Sequence, residues 1–340
     1  VGGARSCGLV ESATHLEVDS VDTFVQQLVN GLTLGSLYAL IAVGYTVVYG
    51  ILQLINFAHG EVFMIGAFGA LTTSLVLFRG QTSVWVLPFM IIGAVIASVG
   101  TAVLMERFAY RPLRNAPRLA PLITAIGISV FLQEIVRLNY NQVPFTSWNP
   151  FNLPDAKALI PFPQIDVVTG PAFQVGGVTI QREAIFTFGA LLMCSALLWY
   201  FINRTKTGRG MQAVSQDPDT ARLMGVNVDH IIVVAFALGA ILAGIAGVAQ
   251  GLQNHNIGFR MGFLAGLKAF TAAVLGGIGN IQGAVLGGLV LGIVEGMATQ
   301  YIPGQFGGSP WKDVWAFVLL ILVLVFRPQG LLGAKAVDRA

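Results

Sequence analysis

"LINFAHGEVFMIGAF", Leu54–Phe68, places Asn56, His59, Gly60 and Glu61 within six residues inside one of the most apolar regions of the chain. Polar and ionisable groups are expensive in lipid, so a membrane segment carries them only where it meets protein or water. The stretch therefore reads as a break in a transmembrane helix, provided that its surroundings are membrane. Composition settles that condition. The 340 residues are 55% hydrophobic and only 10% charged, with a mean hydropathy of +0.75. A soluble protein carries about 25% charged residues. The chain is thus an all-α polytopic membrane protein. Its net charge of +3 is small and reads as a topological bias, not as a nucleic-acid footprint. The 41 glycines favour close helix packing through small residues.

Outward from that stretch, apolar runs lie at about 24–49, 62–78, 84–105, 119–138, 184–203, 231–252, 263–278, 283–299 and 311–326. These predict about 8–10 transmembrane or re-entrant helices, since a full span takes about 20 residues. Runs 62–78, 263–278 and 283–299 are short and laced with glycine. The last two are read either as two spans or as a re-entrant hairpin. Residues 1–22 form a polar extension expected to lack regular structure. Residues 23–333 are read as a single transmembrane domain, and 334–340 as a cytoplasmic tail.

Arginine and lysine set the orientation. Arg107, Arg111, Arg114 and Arg118 cluster in "RFAYRPLRNAPR"; Arg204, Lys206 and Arg209 cluster in "NRTKTGRG"; Arg327, Lys335 and Arg339 end the chain. The positive-inside rule puts all three in the cytoplasm. Span parity then puts the loop 139–183 outside and segment 204–230 inside. Counting back places the N-terminus outside and His59 toward the cytoplasmic side. The external loop is rich in Pro, Asn and Gly, and "QVGGVTIQ" within it has the alternation of a short hairpin.

The cytoplasmic segment "GRGMQAVSQDPDTARLMGVNVDHI", Gly208–Ile231, carries the clearest local signals. Asp217 is a good N-cap, Pro218 fits the first helical position, and Asp219 suits the positive end of a helix dipole. Gly225 supplies a stop. The spacing predicts a short helix over Pro218–Met224, with Arg222 in its second turn and Leu223 and Met224 as its apolar contact. By itself this is either an ordinary loop helix or a helix that docks on a cytoplasmic partner.

Three stretches carry a resemblance. "NGLTLGSLYALIAVGYTVVYGILQLINFAHGEVFMIGAF", "QDPDTARLMGVNVD" and "GLKAFTAAVLGGIGNIQGAVLGGLVLGIVEG" strongly resemble the permeases of ABC importers for branched-chain amino acids, the LivH subfamily. The resemblance covers essentially all of 24–333 and implies the ABC importer permease fold. It implies that Gln216, Asp217, Pro218, Asp219, Thr220, Ala221, Arg222, Leu223, Met224 and Gly225 form the coupling helix that meets the ATPase. It also implies a second, LivM-type permease, two cytosolic ABC ATPase subunits carrying ATP and magnesium, and an external solute-binding protein. The extension 1–22 and the proline-rich external loop depart from the family pattern.

Two glycine-bearing stretches, "NFAHGEVFMIGAF" and "GGIGNIQGAVLGGL", stand as candidates for a two-repeat organisation. Of the intramembrane charges, Glu134 and Arg137 are spaced to pair along one helix. Lys268 is read as snorkelling toward the outer face or lining the path, and Glu295 is a further charge within or beside a span. Asn56, His59, Glu61 and Lys268 are the candidate contacts of the translocation path. Asn56, His59 and Gly60 are read first as satisfying open backbone at the break; proton coupling is a third reading of His59 and Glu61. The other histidines, His15, His230 and His255, are scattered, so no metal site is expected. Cys7 and Cys194 form no framework.

No G-x-x-x-x-G-K-[ST], G-x-S-x-G or H-E-x-x-H motif occurs. The chain is therefore expected to be no enzyme, and to be a transporter subunit whose energy comes from elsewhere. The alternatives are an ion-coupled secondary transporter using His59, Glu61 and Lys268, or an ABC permease for urea, short amides or other neutral amino acids. The expected place is the cell membrane, crossed many times.

Overall fold

The computed structural model describes residues 5–114, 116–117, 119–141, 149, 151–327 and 329–333. The tail 334–340 and residues 142–148 and 150 of the external loop lie outside the described residues. The elements run α1 (Arg5–Leu52), α2 (His59–Phe78), α3 (Val86–Met105) with a π-helical turn at Glu106–Tyr110, and α4 (Leu119–Asn139). The strands β1 (Ile160–Pro161), β2 (Pro171–Val175) and β3 (Val178–Gln181) follow. Then come α5 (Arg182–Arg204), α6 (Lys206–Gln216), α7 (Pro218–Leu223), α8 (Val228–Asn254) and β4 (Asn256–Ile257). The chain ends in α9 (Met261–Gly276), α10 (Ile281–Tyr301) and α11 (Lys312–Phe326). Among the described residues, 7 helices are long and apolar enough to cross a membrane. Helix α1 already begins at Arg5, within the polar stretch 1–22.

The outer end is marked by the two small sheets. The expected hairpin is present as β2 paired antiparallel with β3, turning at Gly176 and Gly177. It holds the outer end of α1: Gly177 N–H donates to Asp22 Oδ2 at 2.9 Å, and Thr179 N–H donates to Gln26 Oε1 at 2.7 Å. Strand β1 pairs with β4, tying the external loop to the end of α8. Helix α1 therefore descends from outside to cytoplasm, as parity requires.

Helices α9 and α10 are two separate helices joined by residues 277–280. Leu331 and Leu332 donate backbone N–H bonds to the carbonyls of Leu275 and Gly276, so α9 ends beside the cytoplasmic C-terminal segment. With 16 residues α9 rises about 24 Å, short of the roughly 30 Å hydrocarbon core. It packs against α1, α2, α10 and α11.

The tightest seam is α1 against α10. A Cβ on Gly35 would stand 2.8 Å from the Gly288 carbonyl oxygen, and one on Gly31 would stand 2.8 Å from Ile293 Cα. Lipid gives helices no hydrophobic reason to associate, so close backbone contact supplies the attraction instead. The same logic joins α2 to α8, where a Cβ on Gly66 would stand 2.7 Å from Gly244 Cα. Part of the glycine content read from the sequence lies in these seams.

Candidate functional site

The cytoplasmic face is built around α7. Two helices occupy this segment where one was expected: α6 precedes α7, capped by Thr205, whose hydroxyl accepts from Gly208 N–H at 3.0 Å. Asp217 then ends α6 and starts α7. Its Oδ1 accepts from Asp219 N–H at 2.9 Å and Thr220 N–H at 3.2 Å, and its other oxygen takes the Thr220 hydroxyl. The Thr220 hydroxyl, then the two amides, hold the Asp217 carboxyl below the usual carboxylate range. Pro218 fills the first helical position, where its missing N–H costs nothing.

The other end closes on Gly225 at φ +83°. Val226 N–H reaches the Ala221 carbonyl and Gly225 N–H reaches that of Arg222, the paired bonds of a Schellman stop. Helix α7 is thus Pro218–Leu223, with Met224 as its C-cap, one residue shorter than expected. Ala221 is buried against the body, while Leu223 and Met224 are 88% and 79% exposed. Among the described residues nothing covers them. Arg222 pairs with Asp219 along the helix, and Gln216 ends α6 just before the cap. Below α7, Asn227 caps α8, and Asp229 in its first turn takes Arg111 at 2.6 Å and Arg114 as well. Arg114 also reaches Glu106, so the loop after α3 is clamped to the base of α8.

The interrupted stretch Leu54–Phe68 is a break between α1 and α2, as its composition implied. Residues 53–58 lead from the end of α1 back into the bundle. Asn56 holds the break: its Oδ1 accepts from Ala58 N–H at 3.1 Å and from the Tyr110 hydroxyl at 2.7 Å, and its carbonyl takes His59 N–H. His59 does not share that task with its ring. The imidazole stacks edge-on to Tyr45 at 4.7 Å between centroids, and Nε2 has no partner. Gly60 lets α2 lie against α9, where a Cβ would stand 2.9 Å from Gly266 Cα. Glu61 is fully buried; its Oε1 accepts from the Ser129 hydroxyl at 2.9 Å and Gln133 Nε2 at 2.8 Å. That carboxylate ties α4 to α2.

Lys268 belongs to a separate cluster. It sits at the middle of α9 and is 4% exposed. Its ammonium lies 2.7 Å from Glu295 and 2.5 Å from Asp313, and donates to the Tyr38 hydroxyl at 3.1 Å. The snorkelling reading is thereby corrected: a long side chain reaches outward only when no closer counter-charge is available, and here two carboxylates are. The structure therefore groups Asn56, His59 and Glu61 and leaves Lys268 apart. Glu134 and Arg137 pair as their spacing predicted, at 2.6 Å. Among the described residues no group of three His, Cys, Asp or Glu is arranged to hold a metal.

Sequence reasoning did not find Tyr38, Tyr110, Ser129, Gln133 or Asp313. Ser129 and Gln133 carried a usable signal: two polar side chains one turn apart on an otherwise apolar helix. Tyr38 and Tyr110 carried none, because an aromatic in a membrane helix is ordinary.

Comparison with known proteins agrees with this architecture. Residues 27–324 match the family model of the branched-chain amino acid transport system permease component. The chain is 44% identical over 321 residues to the high-affinity branched-chain amino acid transport system permease protein BraD of Pseudomonas aeruginosa, covering 93% of this chain and 98% of that one. It is 42% identical over 319 residues to the permease protein LivH of the same kind of system in Escherichia coli K12, covering 93% and 97%. A probable LivH permease of Methanocaldococcus jannaschii is 26% identical over 303 residues, 88% of this chain and 89% of that one.

Proposed function

The chain belongs to the branched-chain amino acid transport system permease family, and from that membership we propose that it forms half of a translocation path for leucine, isoleucine and valine. It is a multi-pass membrane permease subunit of an ABC importer and has no ATPase of its own. ATPase and solute-binding partners go with that class. The finer assignment is our reading: a second, LivM-type permease completes the path, and two cytosolic ATPases, with their ATP and magnesium, drive it.

The observation that carries this reading is α7. A six-residue helix is marginal alone, yet this one is capped at both ends and presents Leu223 and Met224 to solvent. Fixed caps with an uncovered apolar tip are the design of a rigid plug for a groove in a partner. Residues Gln216–Gly225 are thus proposed as the ATPase contact. Force delivered there would pass along α6 and α8, which α7 touches, into the bundle.

Asn56, His59, Glu61 and Lys268 are proposed as path-adjacent groups that are covered in this conformation. All four are buried, so substrate would reach them only in another state of the cycle. An ion-coupled reading finds less support at Lys268, whose ammonium is held by Glu295 and Asp313.

The test is assembly. Leu223→Asp with Met224→Asp should leave the permease inserted and folded, and should abolish co-purification of the ATPase subunits. Normal recovery of the ATPases with the double variant would refute α7 as their contact.

A further inference from the structure

At the outer end of the bundle a cavity of about 430 Å³ opens between α1, α5, α8 and the hairpin strand β3. Its size falls in the range of small-molecule sites, roughly 300–1,000 Å³. Glu183, the second residue of α5, lines it and is 5% exposed. One carboxylate oxygen, Oε1, accepts from Gly170 N–H at 2.9 Å; the other, Oε2, is buried with no partner. A buried carboxylate oxygen without a donor is unfavourable, and a cationic donor is the strongest remedy. No lysine or arginine lines the cavity. The amide of Asn30 stands on the same wall; its oxygen is taken by Gln26 at 3.0 Å, which leaves the Asn30 N–H₂ group to donate. Val29, Leu34 and Ala184 add apolar surface.

We propose that this cavity is an outer holding site for a small amino acid with an apolar side chain, its ammonium on Glu183 and its carboxylate on Asn30. A metal is a poorer occupant, because Glu183 and His255 are the only carboxylate or imidazole in the lining and a stable site needs more ligands. One feature suits the site to its place: it faces the side from which substrate arrives. The proposal rests on the transport reading above and adds a position and a recognition chemistry to it.

The test compares Glu183→Gln with Glu183→Asp in the complete importer, reconstituted with its partner subunits and binding protein. Glutamine keeps an acceptor for Gly170 and loses the charge; aspartate keeps the charge. Initial rates of labelled leucine uptake should fall about tenfold or more in Glu183→Gln, the scale of losing one charge-assisted hydrogen bond, and less in Glu183→Asp. Uptake by Glu183→Gln equal to or above that of Glu183→Asp would overturn the proposal and leave Glu183 as a support for Gly170. Absence of leucine uptake by the unaltered importer would instead count against the transport reading, so the two failures are separable.

Discussion

Lys268 of α9 stands 2.7 Å from Glu295 of α10, and both side chains are buried. With Asp313 on α11 and Tyr38 on α1, this pair fastens four helices at one point. Breaking a buried pair from one side typically costs about 3–5 kcal/mol, because the abandoned charge has no solvent. Lys268→Met leaves two carboxylates together and should lower the thermal midpoint of the purified protein strongly. Lys268→Met with Glu295→Gln should recover much of the loss, since one of the two abandoned charges is gone. An unchanged midpoint in the single variant would contradict the cluster.

The α1–α10 seam makes a packing prediction. Gly292→Val would drive two methyl groups into the backbone of α1 at Gly35. Overpacking costs about 1–3 kcal/mol where the neighbour can yield, and more where it is backbone. Gly127→Ala on α4 meets nothing within 4 Å and should be neutral. Thermal midpoints of the two variants should therefore separate clearly; equal values would show that the seam is not closed in the membrane.

Glu61 supplies a third. Helix α4 leans on α2 and the π-helical turn, and Glu61 gives it two buried hydrogen bonds through Ser129 and Gln133. Ser129→Ala with Gln133→Ala strands the carboxylate and loosens α4, at a cost of about 1–3 kcal/mol for the unsatisfied group. Amide hydrogen exchange should rise across Leu119–Asn139 and stay unchanged in α10. Unaltered exchange in α4 would mean that its packing, not Glu61, holds it.

The α7 cap depends on pH with a definite sign. The Asp217 carboxyl is held below its ordinary value by the Thr220 hydroxyl and the Asp219 and Thr220 amides. A depressed carboxyl stabilises the folded form where it is ionised. The cap is at full strength above the ordinary carboxylate range, about pH 4, and is lost as pH falls through the depressed value. Protection of the Asp219 and Thr220 amides should therefore hold at neutral pH and fall on acidification. In Asp217→Asn, which caps without titrating, protection should not change with pH.

Much of this was legible because it was local. Asp217, Pro218 and Gly225 specify α7 within a few residues, "QVGGVTIQ" specifies the hairpin, and Glu134–Arg137 are three apart on one helix. The break at Leu54–Phe68 was legible too, because polar residues have few uses in a membrane helix. What sequence reasoning lacked was tertiary. Lys268 looked solitary because Glu295 lies 27 residues away and Asp313 on yet another helix. At the break the Asn56 side chain takes the open Ala58 N–H, and Tyr110, brought in by the turn after α3, holds that side chain. Helix α6 was overlooked: it carries two glycines, Gly208 and Gly210, which are weak helix formers. They are buried, where Gly208 lets the chain pack on the carbonyls of α5.

The central claim is that this chain transports only when ATPases act on it. Uptake of labelled leucine into proteoliposomes should be measured with the permease pair and binding protein, with and without the ATPase subunits and ATP. The account predicts uptake that needs both, is unaffected by collapsing proton and sodium gradients, and is lost with Leu223→Asp and Met224→Asp. Uptake that persists without the ATPases and vanishes with the ion gradients would contradict it.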